Sequence, residues 1–455
     1  MNPEFQRHLW LQFSPLKIIL APLLLGIVII GVQSSRGVTG QEITEAAYWA
    51  FHIIMGFWAT RRSADALAEE ITSGTWNVQR MSSLSAWQMC WGKILGATSY
   101  AWYCAVWLLA VLLFWGSSFQ EEHIFIGSPV ILSVYLVISA LLAIAVSFIT
   151  LLLLHQKSTG TGKLSTTLAQ LAGLLFYALM QSGALIQLLV EGQGVGQIAW
   201  YGLKVESPNF LLLFELFVAG WVWIAAYRLM QSELQYRQYP IAFILFLITM
   251  FIVLYGFSFE QSNLINFLWA YVIVTYIAFF AQKKDVIRYK LWCFSVKQDQ
   301  WLSMIRYTPL WVFAYLGAIF IGLMVILIAP DEPFTNLGFS GFDDIFHRRT
   351  ASGVLVISSA ILFLGRDLLF LLWLNFWKKK NADITGFLFL LLCYWPLASV
   401  FSWGGLDFLI GFARPGEYEN PWMAFGPVAL EIIFLLLLFY QKVKRMVNAE
   451  PAYAS

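Results

Sequence analysis

Charge is scarce in this chain: Asp, Glu, Lys and Arg make up 12% of its 455 residues, against 60% hydrophobic residues and a mean hydropathy of +0.71. So little charge excludes a set of water-soluble domains. Cysteine is rarer still, and Cys90, Cys104, Cys293 and Cys393 form no C-x-x-C pair, which excludes a disulfide framework or a zinc site and leaves packing cysteines. The net charge of +2 lies in short basic clusters rather than along one face, so nucleic acid is not an expected partner. No polar stretch is long enough to build an ATPase domain. The loop "KSTGTGKLS" departs from a phosphate-binding loop at Lys157 and Leu164 and follows an apolar run rather than a strand, so it reads as a plain loop. A His-rich metal cluster, a paired-Asp motif and a large catalytic loop are also missing, so the chain is not expected to be an enzyme, to hold a metal or to bind a cofactor itself.

What the sequence has in abundance is apolar runs of about 18–25 residues, continuous rather than alternating, which call for α-helices crossing a bilayer. The expected fold is an all-α polytopic membrane protein. Twelve spans are expected, near Leu16–Gln33, Thr44–Thr60, Lys93–Gly116, Pro129–His155, Leu164–Val190, Asn209–Met230, Pro240–Phe257, Asn263–Gln282, Leu310–Ala329, Ala351–Phe376, Thr385–Trp403 and Gly426–Gln441. Residues 1–15, with Leu9, Trp10, Leu11 and Phe13 beside Arg7 and Lys17, read as a helix lying in the membrane interface. With both termini in the cytoplasm, 22 Lys and Arg lie inside and 5 outside, a bias that favours this orientation.

Span starts recur at offsets of about 217–224 residues, which predicts two six-span halves in parallel, residues 16–235 and 236–446, before a short tail over 447–455. The outer loops Phe119–Phe125 and Phe342–His347 echo one another; their acids and histidines, Glu121, Glu122, His123, Asp343, Asp344 and His347, read as solvated loop residues rather than a metal site. The segments 191–208 and 404–421, rich in Gly and Pro between apolar residues, read as re-entrant or interfacial.

One stretch breaks the apolar texture on the inner side: "EEITSGTWNVQRMSSLSAWQMCWGK", Glu69 to Lys93. Gly74 can end a helix, Trp76 to Met81 can form a short one, and Ser85-Ala-Trp-Gln88 has the spacing of a capping box. Glu69 and Glu70, Gly74-Thr75, Ser83 and Ser85 with Trp87, then Gly92-Lys93, resemble the first cytoplasmic loop of the permeases of ABC-2 type exporters, with Ser83 where that family usually has proline. The corresponding loop of the second half, "KKDVIRYKLWCFSVKQDQWLSMIRY", keeps a potential cap and tryptophan at Asp299 and Trp301 but has no Gly-Thr.

The resemblance implies an ABC transporter permease in a bacterial inner membrane, an exporter subunit with an ABC-2-like arrangement in each half. It implies two copies of a separate ABC ATPase as partners, with ATP and Mg bound there, coupled through loops 61–93 and 283–308. The transported substrate is left open, and membrane lipids are the other expected partner. The competing reading is an ion-coupled secondary transporter, and it turns on polar residues inside the spans. His52 is either a proton site or a packing histidine. Glu215 and Glu431 either face an outer vestibule, hold the re-entrant segments or snorkel to the interface. Arg366 and Asp367, about 100° apart on one helix, are expected to bind across helices rather than to each other.

Overall fold

The computed structural model describes residues 2–34, 40–116, 128–157, 165–182, 197–257, 264–328, 353–377, 382–404, 407–413 and 421–448. The chain is mostly helical and membrane-embedded, and it divides into two compact units, Met1–Gln238 and Tyr239–Ser455.

In the first unit α1 (Pro3–Gln12) and α2 (Pro15–Ser34) meet at a bend of 68°. Helix α3 (Gly40–His52) runs through a π-helical segment, Ile53–Ala59, into α4 (Thr60–Thr72), and then come α5 (Thr75–Arg80), α6 (Ala86–Ala97) and α7 (Ser99–Trp115). Helices α8 (Pro129–Lys157), α9 (Thr166–Gln181) and α10 (Ser207–Glu233) complete it. Helix α8 is the centre, because its small residues let neighbours approach closely. A Cβ on Gly173 of α9 would come within 2.7 Å of the Ala143 carbonyl oxygen of α8. The π segment frees backbone carbonyls, and they find partners: Gln170 Nε2 donates to the Phe57 carbonyl at 3.0 Å, and the Thr60 hydroxyl donates to the Gly56 carbonyl.

The second unit contains α11 (Ile241–Tyr255), α12 (Leu264–Ala281), α13 (Val286–Lys297), α14 (Trp301–Tyr307), α15 (Leu310–Ile328), α16 (Gly353–Phe376) and α17 (Ala382–Leu392). A π segment at Cys393–Leu397 leads to α18 (Ala398–Trp403), α19 (Asp407–Ala413) and α20 (Pro421–Asn448). Helix α12 packs along α15, and α16 packs against α17 and α20.

The expected count of twelve spans is corrected. Among the described residues six helices are long and apolar enough to cross a membrane, or eight if each of two bent pairs counts as one span. Hydropathy runs pass over breaks that geometry does not. The run across Lys93–Gly116 is two helices, α6 and α7, bent by 57°, and α9 and α11 have only 16 and 15 residues. Part of the segment expected to be re-entrant or interfacial forms a β-hairpin, β1 (Gln197–Trp200) and β2 (Leu203–Glu206), paired from Gln197↔Glu206 to Trp200↔Leu203. Its two-residue turn, Tyr201-Gly202, has positive φ at both positions (51° and 74°), as a right-twisted hairpin favours. The loop residues 119–125 and 342–347, and 158–164 of the candidate phosphate loop, lie outside the described residues.

Candidate functional site

The polar loop folds as its residues dictate. Helix α4 ends at Ser73, whose N–H bonds the Glu69 carbonyl at 2.9 Å, and Gly74 turns the chain in the left-handed region at φ 76°. A side chain there is disfavoured, which is why glycine stands at the break. Helix α5 follows, then α6 opens on a complete capping box: Ser85 Oγ accepts from the Gln88 N–H at 3.2 Å, and Gln88 Oε1 accepts from the Ser85 N–H at 3.1 Å.

The loop folds back on the N-terminal helix. Lys93, 1% exposed, directs Nζ to Glu4 Oε1 (2.9 Å), Gln79 Oε1 (2.6 Å) and the Glu70 carboxylate, with the Trp76 ring 5.2 Å away. Arg7 donates to Glu4 Oε1 at 2.7 Å and also to Glu70, while His8 Nε2 stands 3.5 Å from Glu4 Oε1. Two buried carboxylates thus face the buried Lys93 and the half-exposed Arg7, an arrangement that tolerates burial only because the buried charges are both paired and hydrogen-bonded. Burial opposes ionisation of Glu4, but the His8 contact and the charges of Lys93 and Arg7 outweigh it and hold this carboxyl at about 2.

Helix α1 is fastened along its length to α6 and the start of α7. Asn2 Nδ2 donates to the Gln88 carbonyl at 2.6 Å, Gln12 Nε2 donates to the Ala97 carbonyl, and Gln12 Oε1 accepts from Ser99 Oγ and the Tyr100 N–H, both at 3.2 Å. Glycines clear the path: a Cβ on Gly92 would lie 2.7 Å from the Glu4 Cβ, and one on Gly96 would lie 2.8 Å from the His8 Cβ.

Beneath the loop, α5 is tied to two long helices. Trp76 Nε1 donates to Glu233 Oε1 at 3.4 Å, His155 Nε2 lies 3.4 Å and Arg80 3.8 Å from the same oxygen. Glu233 ends α10 and His155 lies in the last turn of α8. Trp87 belongs to an aromatic ladder between α6 and α10: it meets Trp91 at 5.0 Å, and Trp91 stacks on Trp223 at 4.2 Å. Glu4, His8 and Glu70 lie close enough to hold a metal, yet Lys93 and Arg7 already supply their positive charge.

Of the residues singled out in the sequence, Glu70, Gly92 and Lys93 come together, Gly74 and Ser85 shape the backbone, and Glu69, Thr75 and Ser83 face outward. Asp299 is corrected: it sits at φ 53°, and Gln300, not Asp299, precedes the first turn of α14, where Trp301 is exposed. His52 Nδ1 meets the Tyr177 hydroxyl at 2.5 Å, and Glu215 accepts from the Ser139 hydroxyl, both inside the first unit.

Arg366 and Asp367 do bind across helices, but the expectation that they do not meet each other is corrected: Nε and a terminal nitrogen of Arg366 reach Asp367 Oδ1 at 2.9 and 2.7 Å. The guanidinium is long enough to fold back across the 100° step of the helix. Glu431 joins Arg366 at 3.0 Å, and the hydroxyls of Tyr276 and Tyr394 donate to Asp367 Oδ2 at 2.6 and 2.7 Å.

Sequence reasoning missed Glu4, Arg7, His8, Gln79, Trp76 and Glu233. The available signal was Glu4, Arg7 and His8 at i, i+3 and i+4, a polar face on a helix otherwise suited to lipid. Compared with family models, with curated proteins and with solved structures, the chain matches none.

Proposed function

We propose that the chain is a membrane permease of the ABC-2 exporter type, working with two copies of a separate ATPase that contact it through loop 61–93 and, less strongly, through loop 283–308. The observation that carries this reading is the way α5 is mounted. Its inner side is held by Trp76 on Glu233, the carboxylate that His155 also meets, and by Gln79 on Lys93, while Val78 and Met81 stand exposed on its outer side. A partner pressing on α5 therefore acts on the ends of α8 and α10 through short, buried contacts rather than through a slack loop. Such a contiguous packed path is the physical requirement for coupling between a docking surface and membrane helices.

The test is affinity purification of the full chain in mild detergent, with identification of what accompanies it. An ATPase subunit is expected, and replacing Glu70 or Gly74-Thr75 is expected to lower its ATP hydrolysis while the chain still inserts. Recovery of no ATPase, with transport surviving ATP depletion, overturns the reading. That outcome favours ion-coupled transport, for which Glu215 is the relevant observation: it is 1% exposed, and its Oε2 has no hydrogen-bond partner.

A further inference from the structure

Helix α13, in the second unit, has two apolar sides of different kinds. On the inner side Tyr289 meets the Phe376 ring edge-on at 5.3 Å, and its hydroxyl accepts from Trp311 Nε1 at 3.2 Å. On the outer side Ile287, Leu291 and Phe294 are exposed, at spacings of four and three residues that place them on one stripe. Trp301 and Leu302, at the start of α14, add further exposed apolar surface.

Basic residues flank that stripe. By helical geometry Arg288 lies about 100° to one side of Ile287 and Lys290 about 60° to the other. Between residues 283 and 306 there are six basic residues and two acidic ones, a net charge of +4. Lys284 is engaged, with Nζ 2.8 Å from Asp383 Oδ1, Lys290 has an interaction of its own and Arg288 is half-buried, while the balance of the segment stays positive.

The position of α13 narrows what can cover this face. Apolar helix α12 ends at Ala281 and α15, a candidate span packed beside it, begins at Leu310, so α13 and α14 lie where this pair leaves the bilayer. The 12 residues of α13 extend for about 18 Å, too short to cross about 30 Å of hydrocarbon. An exposed apolar stripe with Arg and Lys at its flanks, held at the membrane face, fits acyl chains beneath and anionic headgroups at the sides. Trp301 suits the same level.

We propose that α13, with the start of α14, is a lipid-docking surface that lies on the anionic headgroup layer of the cytoplasmic leaflet. Ile287, Leu291 and Phe294 enter the upper acyl region, and Arg288 and Lys290 meet lipid phosphates. This deepens the permease reading, on which the loop faces the cytoplasm: the loop of the second unit is anchored by lipid, and α5 of the first is left as the principal docking element.

The experiment places a nitroxide on the full chain at Leu291→Cys, or separately at Met81→Cys, with the native cysteines replaced. The protein is reconstituted alone in vesicles of phosphatidylethanolamine and phosphatidylglycerol. The label at 291 is expected to collide with lipid-borne oxygen in preference to an aqueous nickel chelate, and the label at 81 to show the opposite. Replacing Arg288→Gln and Lys290→Gln, or using neutral phosphatidylcholine, is expected to shift the helix towards water by about fivefold per charge lost.

A water-accessible label at 291 in anionic vesicles, with normal behaviour at 81, overturns the proposal. So does protection at 291 that requires a protein partner. Because the vesicles hold only this chain, the readout is separate from ATPase recovery: a wet label at 291 beside a recovered ATPase refutes the lipid contact alone, and the converse refutes the permease reading alone.

Discussion

Trp76 and Glu233 stand 157 residues apart in the chain, and the indole nitrogen of one donates to the carboxylate of the other at 3.4 Å. This bond joins a six-residue surface helix to the end of a 27-residue membrane helix. Trp76→Phe keeps an aromatic ring beneath Lys93 but removes the donor and leaves a small cavity in the core, so a loss of about 1–3 kcal/mol in stability is expected. If the permease proposal holds, ATP hydrolysis by the partner should fall by more than this loss of stability explains. In a cycle with Glu233→Gln, the double variant should be no worse than the more damaging single one. Additive losses would show that the two residues act apart.

Lys93→Met leaves Glu4 and Glu70 facing one another with Arg7 as their remaining permanent cation. Breaking a buried pair in this way costs about 3–5 kcal/mol. Thermal unfolding of the purified chain should show that loss, and Glu70→Gln added to Lys93→Met should recover part of it by removing the unpaired charge. A double variant less stable than Lys93→Met alone would show that Glu70 contributes mainly through packing.

The low value of Glu4 has a definite consequence for pH. Its carboxyl falls from an ordinary 4.5 to about 2 in the fold, so its contribution is complete above about 4.5 and is lost as the pH drops towards 2. The contribution is on the order of 3 kcal/mol. Tryptic cleavage after Arg7, a measure of α1 leaving its seat, reports this only above the acid range, so the measurement is the denaturation midpoint between pH 6 and 3. Glu4→Gln should flatten that profile, and an unchanged slope would assign the acid sensitivity to other groups.

Gly96→Ala places a methyl group 2.8 Å from the His8 Cβ, where backbone and short side-chain atoms must shift. A cost of about 1–3 kcal/mol is expected for such overpacking. At neutral pH trypsin should then cut after Arg7 in the variant and spare it in the parent. Gly26→Ala, with nothing within 4 Å of its added carbon, is the control that should behave like the parent.

What the sequence revealed and what it hid follow from the range of the interactions. Gly74, Ser85 and Gln88 act on backbone groups a few residues away, so the break after α4 and the restart at α6 could be read directly. Glu4 and Lys93 act on each other across 89 residues, and nothing local in either neighbourhood names the other. Hydropathy located apolar segments but not the bend after Ala97 or the short lengths of α9 and α11, because burial and bending do not change composition. The cross-helix partners of Arg366 and Asp367 agree with expectation, but their direct pair was missed, because backbone geometry alone ignores how far a guanidinium reaches.

Asp367 offers a test within the second unit. It is fully buried and receives Arg366, Tyr276 and Tyr394 at once. Asp367→Asn leaves the guanidinium with only the half-buried Glu431 as an ionic partner, and a loss of about 3–5 kcal/mol is expected in thermal unfolding. A change below about 1 kcal/mol would mean that Glu431 alone neutralises Arg366.

The docking of α1 on α6 also sets an order of events during synthesis. Glu4, Arg7 and His8 leave the ribosome well before Lys93 exists, and at about 5–20 residues per second the wait is on the order of ten seconds. Through that interval α2, α3 and α4 are made while the polar face of α1 remains in contact with water. Only when α6 emerges, with Gly92 and Gly96 on its surface, can those charges leave water. Helix α1 is translated before α2 to α6 and is therefore among the last of that neighbourhood to be seated.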